Sequence, residues 1–151
     1  MLASFQKLLY GGIFMDNKAL VKEALAAREM AYTPYSNFAV GAALLTKDGK
    51  IYRGCNIENA SYTPTNCAER TAIFKAVSEG EREFAAIAVV GGPAGNPPVD
   101  FCYPCGVCRQ VMAEFCDDDF VVLIGKSEDE IREHTLADIL PHTFREKDLY
   151  R

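Results

Sequence analysis

Phe84-Ala85-Ala86-Ile87-Ala88-Val89-Val90, then Cys105 to Phe115, then Phe120-Val121-Val122-Leu123-Ile124: the reading of these three segments decides the fold. The first and last are unbroken apolar runs, the pattern of strands covered on both faces. Between them Cys105 opens a helix that runs to about Phe115, after a loop rich in glycine and proline from Gly91 to Pro104. A strand, a crossover helix and a second strand imply a parallel pair.

Working outward, Phe38 to Thr46 and Lys50 to Asn56 read as two strands, with Lys47-Asp48-Gly49 as their turn. That hairpin must be antiparallel. Before it, Asp16-Asn17 caps a helix whose Leu20, Val21, Ala24, Leu25 and Met30 recur at three- and four-residue spacing. It is expected to stop near Thr33-Pro34, since a residue before proline disfavours the helical region. Asn56 to Pro64 is a polar loop, and a second helix runs from Cys67 to a glycine cap at Gly80. After Ile124 the tail holds a short helix over Leu136 to Leu140 and a final polar segment. The order predicts an α/β fold with three layers, α/β/α, and a mixed sheet covered by helices on both faces.

At 151 residues the chain has room for one domain, taken as residues 15–151 behind an extension, residues 1–14, of unknown role. The extension is weakly apolar but short and broken by Gly11-Gly12, with only Lys7 charged ahead of that break, so a targeting role is not expected. No stretch reaches the ~18–20 apolar residues of a membrane span. The net charge of −5, with no basic run interleaved with aromatics, argues against nucleic acid as a partner. Neither a membrane nor a polynucleotide is expected.

Six cysteines need a reason, and their spacing supplies one. Cys105 and Cys108, in Pro104-Cys105-Gly106-Val107-Cys108-Arg109, sit one helical turn apart, the short spacing typical of zinc ligands. Cys67, in Asn66-Cys67-Ala68-Glu69-Arg70, also falls at a helix start, where free N–H groups and the helix dipole favour thiolate. Three sulfurs would leave the fourth tetrahedral position open, as a catalytic zinc requires. Glu69 is then placed as a general acid/base beside an activated water. This constellation agrees with that described for zinc deaminases. Taken singly the motifs say less: the pair could be a redox dithiol or half of a structural site, and Glu is common in first helical turns. Cys102 could close the site as a fourth ligand, which would make it a structural zinc module; otherwise Cys55, Cys102 and Cys116 are small buried side chains. Arg70 and Arg109 are candidates to hydrogen-bond the sulfurs and offset their charge. Grouped cysteines of this kind suit a reducing cytoplasm.

The chain resembles the small, homotetrameric, all-cysteine cytidine deaminases from about Met15 to Tyr150. The landmarks are Tyr35 to Ala43, Gly54-Cys55-Asn56-Ile57-Glu58-Asn59-Ala60, Cys67 to Ala72, and Pro104 to Gln110. The resemblance implies one Zn²⁺ per subunit and conversion of cytidine and 2′-deoxycytidine to the uridines in pyrimidine salvage. It also implies that Asn56 and Glu58 hydrogen-bond the ribose, that Phe38 packs on the pyrimidine, that Ala68 contacts substrate, and that Phe144 reaches in from a neighbouring subunit. A small-molecule nucleoside is thus the expected partner, in a homotetramer with composite active sites. The rival within the superfamily is a deaminase of an aminopyrimidine antibiotic such as blasticidin S. Departures from the family pattern are the N-terminal extension, a longer 91–104 loop, and the lead Cys102-Tyr103 into Pro104.

Overall fold

A computed structural model describes residues 7–10 and 13–150. Five strands form the central sheet in the order β4-β3-β5-β6-β7: β3 Phe38–Thr46, β4 Ile51–Cys55, β5 Phe84–Pro93, β6 Val121–Gly125 and β7 Ile131–Thr135. Only β5 and β6 run parallel; every other pair is antiparallel. The mixed α/β sheet expected from the sequence is therefore present.

Alternation along the strands explains the layers. Ala43, Leu45, Ala86, Ala88, Val90 and Leu123 face one side, where helix α1 (Asn17–Arg28) covers them with Leu20, Val21 and Ala24. Ala42, Leu44, Ile87, Val89, Val122 and Ile124 face the other. There α2 (Ala68–Ser78) contributes Ala72, Ile73 and Ala76, and α3 (Gly106–Phe115) contributes Met112. Each fully buried Leu, Ile or Val contributes roughly 1.5–3 kcal/mol through removal from water. Small residues set the spacing. A Cβ at Gly54 would lie 2.4 Å from the Ala68 carbonyl and 2.5 Å from the Ala72 nitrogen, so α2 rests directly on β4 at its first turn. That contact fixes where the start of α2 stands. Its other end stops as expected, with Gly80 at φ +96°.

Four expectations need correction. Helix α1 ends at Arg28, not near Thr33, because the chain is drawn away: the Tyr32 N–H donates to Asn56 O at 3.0 Å and Tyr32 O accepts from the Glu58 N–H at 2.9 Å. Strand β5 continues through Gly91-Gly92-Pro93, so the loop begins at Ala94. These residues pair with β3, and the buried Arg28 guanidinium donates to the carbonyls of Gly92 at 3.0 Å and Pro93 at 2.7 Å. Strand β7 was not expected; its sequence Ile-Arg-Glu-His-Thr is polar because it lies at a sheet edge. The tail holds two short helices, α4 (Leu136–Ile139) and α5 (Glu146–Leu149). Part of the extension forms an antiparallel hairpin, β1 Lys7–Tyr10 with β2 Ile13–Asp16. The rest of residues 1–14 lies outside the described residues.

Candidate active site

Cys67 and Cys105 are the N-cap residues of α2 and α3, and neither side chain caps its own helix. Both sulfurs are thereby left at the positive ends of two helices. Cys108, one turn into α3, is fully buried. The three sulfurs lie within 4.8 Å of one another, with Cys67 and Cys105 3.9 Å apart. Tetrahedral bonds of ~2.3 Å to a shared zinc would set sulfurs about 3.8 Å apart, so the donor set and its spacing fit one zinc ion.

Electrostatics agree. A hydrogen bond with the Cys108 thiol pushes the Cys67 thiol down to about 5 against the cost of burial, and the Arg70 guanidinium adds to the shift. Cys108 moves up, as the partner in that bond and by burial. A metal ion bound here would displace the thiol protons. Glu69 is only 3% exposed, in the first turn of α2. Burial raises its pKa, and the neighbouring Cys67 charge raises it further, while a hydrogen bond with Cys108 opposes the shift. A buried carboxyl whose proton is held more tightly than usual thus stands against the sulfurs.

The loop from Asn56 to Asn66 delivers Cys67. Ile57 and Asn66 exchange backbone hydrogen bonds at 3.0 Å, Asn66 Nδ2 donates to Thr71 Oγ1 at 3.2 Å, and that hydroxyl donates to the Cys67 carbonyl at 3.1 Å. Asn66 and Thr71 were not singled out in the sequence. Their spacing resembles ordinary helix-start chemistry, and only the closed loop reveals what they hold.

The remaining candidates divide. Arg70 donates to Cys67 Sγ at 3.2 Å. Arg109 goes elsewhere: Nε donates to the Pro104 carbonyl and Nη1 to the Ile139 carbonyl, both at 2.7 Å, so the expectation that it bonds a sulfur is replaced by a clamp on backbone. Asn56 accepts from the Val40 N–H and donates to the Phe38 carbonyl, both at 2.8 Å. Glu58 Oε1 accepts from the backbone N–H groups of Tyr35 and Ser36 at 3.0 and 3.1 Å. Hydrogen bonding from Ser36 holds the Glu58 carboxyl below its ordinary value, hence ionised. Glu58 lines a cavity of about 310 Å³ with Tyr35, Ser36, Tyr62 and Thr65. Phe38 is 40% exposed, and Ala68 is fully buried. Phe144 is exposed on a separate hollow of about 690 Å³ that none of the sulfurs lines.

Cys102 does not join the sulfur cluster. Its sulfur packs where a Cβ on Gly91 would come within 2.7 Å, and burial pushes its thiol up to about 11. Cys116 is buried as expected, whereas Cys55 and Cys102 are half-buried.

Three sulfurs at two helix starts, beside one buried carboxyl, are consistent with a site for one zinc ion. Residues 15–124 match the model of the cytidine and deoxycytidylate deaminase zinc-binding region. A cytidine deaminase of Halalkalibacterium halodurans is 56% identical over 135 residues, 89% of this chain and 98% of that protein. The crystal structure of cytidine deaminase from Burkholderia pseudomallei has a TM-score of 0.77 and 52% identity, covering 86% of this chain and 100% of that one. Blasticidin-S deaminase of Bacillus cereus is 32% identical over 105 residues, 68% of this chain and 74% of that protein. The chain belongs to the cytidine and deoxycytidylate deaminase family. Among the described residues, no helix is long and apolar enough to cross a membrane.

Proposed function

We propose that this chain hydrolyses cytidine and 2′-deoxycytidine to uridine and 2′-deoxyuridine, releasing ammonia, as a step of pyrimidine salvage. The observation that carries the reading is the Cys67, Cys105 and Cys108 trio with Glu69 buried against it. Those three cysteines would hold zinc, with Arg70 offsetting their negative charge. Bound there, zinc supplies Lewis acidity that makes water a nucleophile near neutral pH.

Glu69 moves the protons. It takes up the one the attacking water gives up and passes it to N3, which makes C4 electrophilic. It then takes the proton of the hydroxyl added at C4 and delivers it to the amine, which leaves as ammonia while the C4 carbonyl forms. Burial suits it to this work, since a raised pKa brings a carboxyl closer to the range in which it can both take and give a proton.

The sugar is read by Asn56 and Glu58. Holding the backbone of β3 orients the Asn56 amide and still leaves one of its N–H donors, and Glu58 retains acceptor capacity beyond its bonds to Tyr35 and Ser36. Phe38 packs on the base and Ala68 contacts the substrate. Phe144, 56% exposed, is available to complete the site of a neighbouring copy in a homotetramer. The deaminase domain spans residues 15–151 behind an extension, and the six free thiols suit a reducing cytoplasm.

The greater identity and coverage of the cytidine deaminase, compared with the blasticidin-S deaminase, favour the nucleoside over the antibiotic as substrate. Mixing purified protein with cytidine should erase the cytidine absorbance band, and a zinc chelator should abolish that loss. Turnover of blasticidin S without turnover of cytidine would overturn the assignment.

A further inference from the structure

The three sulfurs are not held alike. Cys67 is anchored through its carbonyl by Thr71 and through its sulfur by Arg70, and Cys108 is buried within α3. Cys105 is exposed, and as an N-cap its side chain makes no capping bond. Its carbonyl accepts from the Arg109 N–H at 3.0 Å within α3, and on its other side its position depends on the chain that leads into it.

That lead is gripped by the sheet edge. The Arg132 guanidinium lies 3.9 Å from the Phe101 ring centroid, and its Nη1 donates to the Tyr103 hydroxyl at 3.3 Å. The same hydroxyl bonds His134 Nε2 at 3.1 Å, and the two rings meet edge-on with centroids 5.4 Å apart. Just beyond, Arg109 ties the Pro104 carbonyl to the Ile139 carbonyl. Arg132 and His134 belong to β7 and Ile139 ends α4, while Thr135 both closes the strand and caps the helix. One continuous unit, residues 131–139, therefore fastens residues 101–104 on both sides.

We propose that this edge unit, acting through Tyr103, Arg132 and His134, positions the Cys105 sulfur for zinc. The inference rests on the zinc reading above and makes Tyr103 a positioning residue, with no contact to substrate required. Losing a group that orients a ligand commonly weakens metal binding by about 10–100-fold; acting one residue removed, this cluster belongs at the lower end, about tenfold.

The test measures zinc affinity by competition with a chromogenic chelator, alongside the unfolding midpoint of the zinc-free protein. Tyr103→Phe removes the hydroxyl and keeps the ring; Arg132→Ala removes the guanidinium from both Phe101 and Tyr103. Both should weaken zinc binding by about tenfold while the zinc-free midpoint stays within a degree or so of the parent, because the lost contacts are partly exposed and few. His134→Gln, which retains a partner for the hydroxyl, should bind zinc more tightly than His134→Leu. Affinities within about twofold of the parent, or losses that merely follow a falling zinc-free midpoint, would overturn the inference while leaving the zinc site intact. A parent chain that takes up no zinc would overturn the metal reading and this inference with it.

Discussion

Glu69→Gln should lower kcat by about 10²–10⁴-fold and leave zinc content unchanged. The carboxamide fills the same buried space and cannot accept or release the proton that the reaction moves twice. Glu69 sits in the first turn of α2, whose start is seated on Gly54, so an isosteric side chain has no reason to disturb the helix. The measurements are steady-state turnover of cytidine and metal analysis of the same preparation. A variant that retains zinc and also retains turnover would show that some other group shuttles the proton.

Cys108→Ala should lose both metal and activity. Its sulfur is the fully buried member of the trio, so its removal would take away one of the three donors proposed to hold the ion. Zinc content should fall from about one ion per chain to less than about a tenth, with no detectable loss of the cytidine absorbance band. Cys116→Ala is the matched control. That cysteine is also buried, its thiol is pushed up to about 12 by burial, and it lies outside the cluster. It should cost some packing and no zinc. Full zinc occupancy in the Cys108 variant would mean that the ligands lie elsewhere.

The fold was most legible where pattern and burial agree. Phe38 to Thr46 alternates between faces, and its bounds were read to the residue. Phe84 to Val90 is apolar throughout because helices cover both faces, and the parallel pairing with β6 followed from the crossover. Legibility failed where tertiary contacts override local chemistry. Gly91-Gly92-Pro93 looks like a loop, yet β3 on one edge and the Arg28 guanidinium on the carbonyls keep it in the sheet. Strand β7 has little apolar content to betray it, since an edge strand is half wet, and without β7 the grip on Tyr103 could not be foreseen.

The candidate site divides along the same line. Cys67, Glu69, Cys105 and Cys108 could be placed from spacing at two helix starts, because helix geometry is local. Arg109 could not, since the carbonyls it binds lie in the segment just before α3 and at the end of α4, and nothing in Cys108-Arg109 signals them. Asn56 and Glu58 read as turn residues in isolation. Both do support the backbone, Asn56 that of β3 and Glu58 that of the Tyr35-Ser36 turn, which is why a sugar-binding role for them comes from the family and from their remaining hydrogen-bond capacity.

If Cys67, Cys105 and Cys108 hold one ion, its fourth position is left to water and substrate. The most direct measurement is the absorption spectrum of the cobalt-substituted protein, with and without a pyrimidine nucleoside inhibitor bound. Three-sulfur coordination whose visible bands shift when the inhibitor is added is the predicted result. A four-sulfur spectrum indifferent to the inhibitor would contradict it.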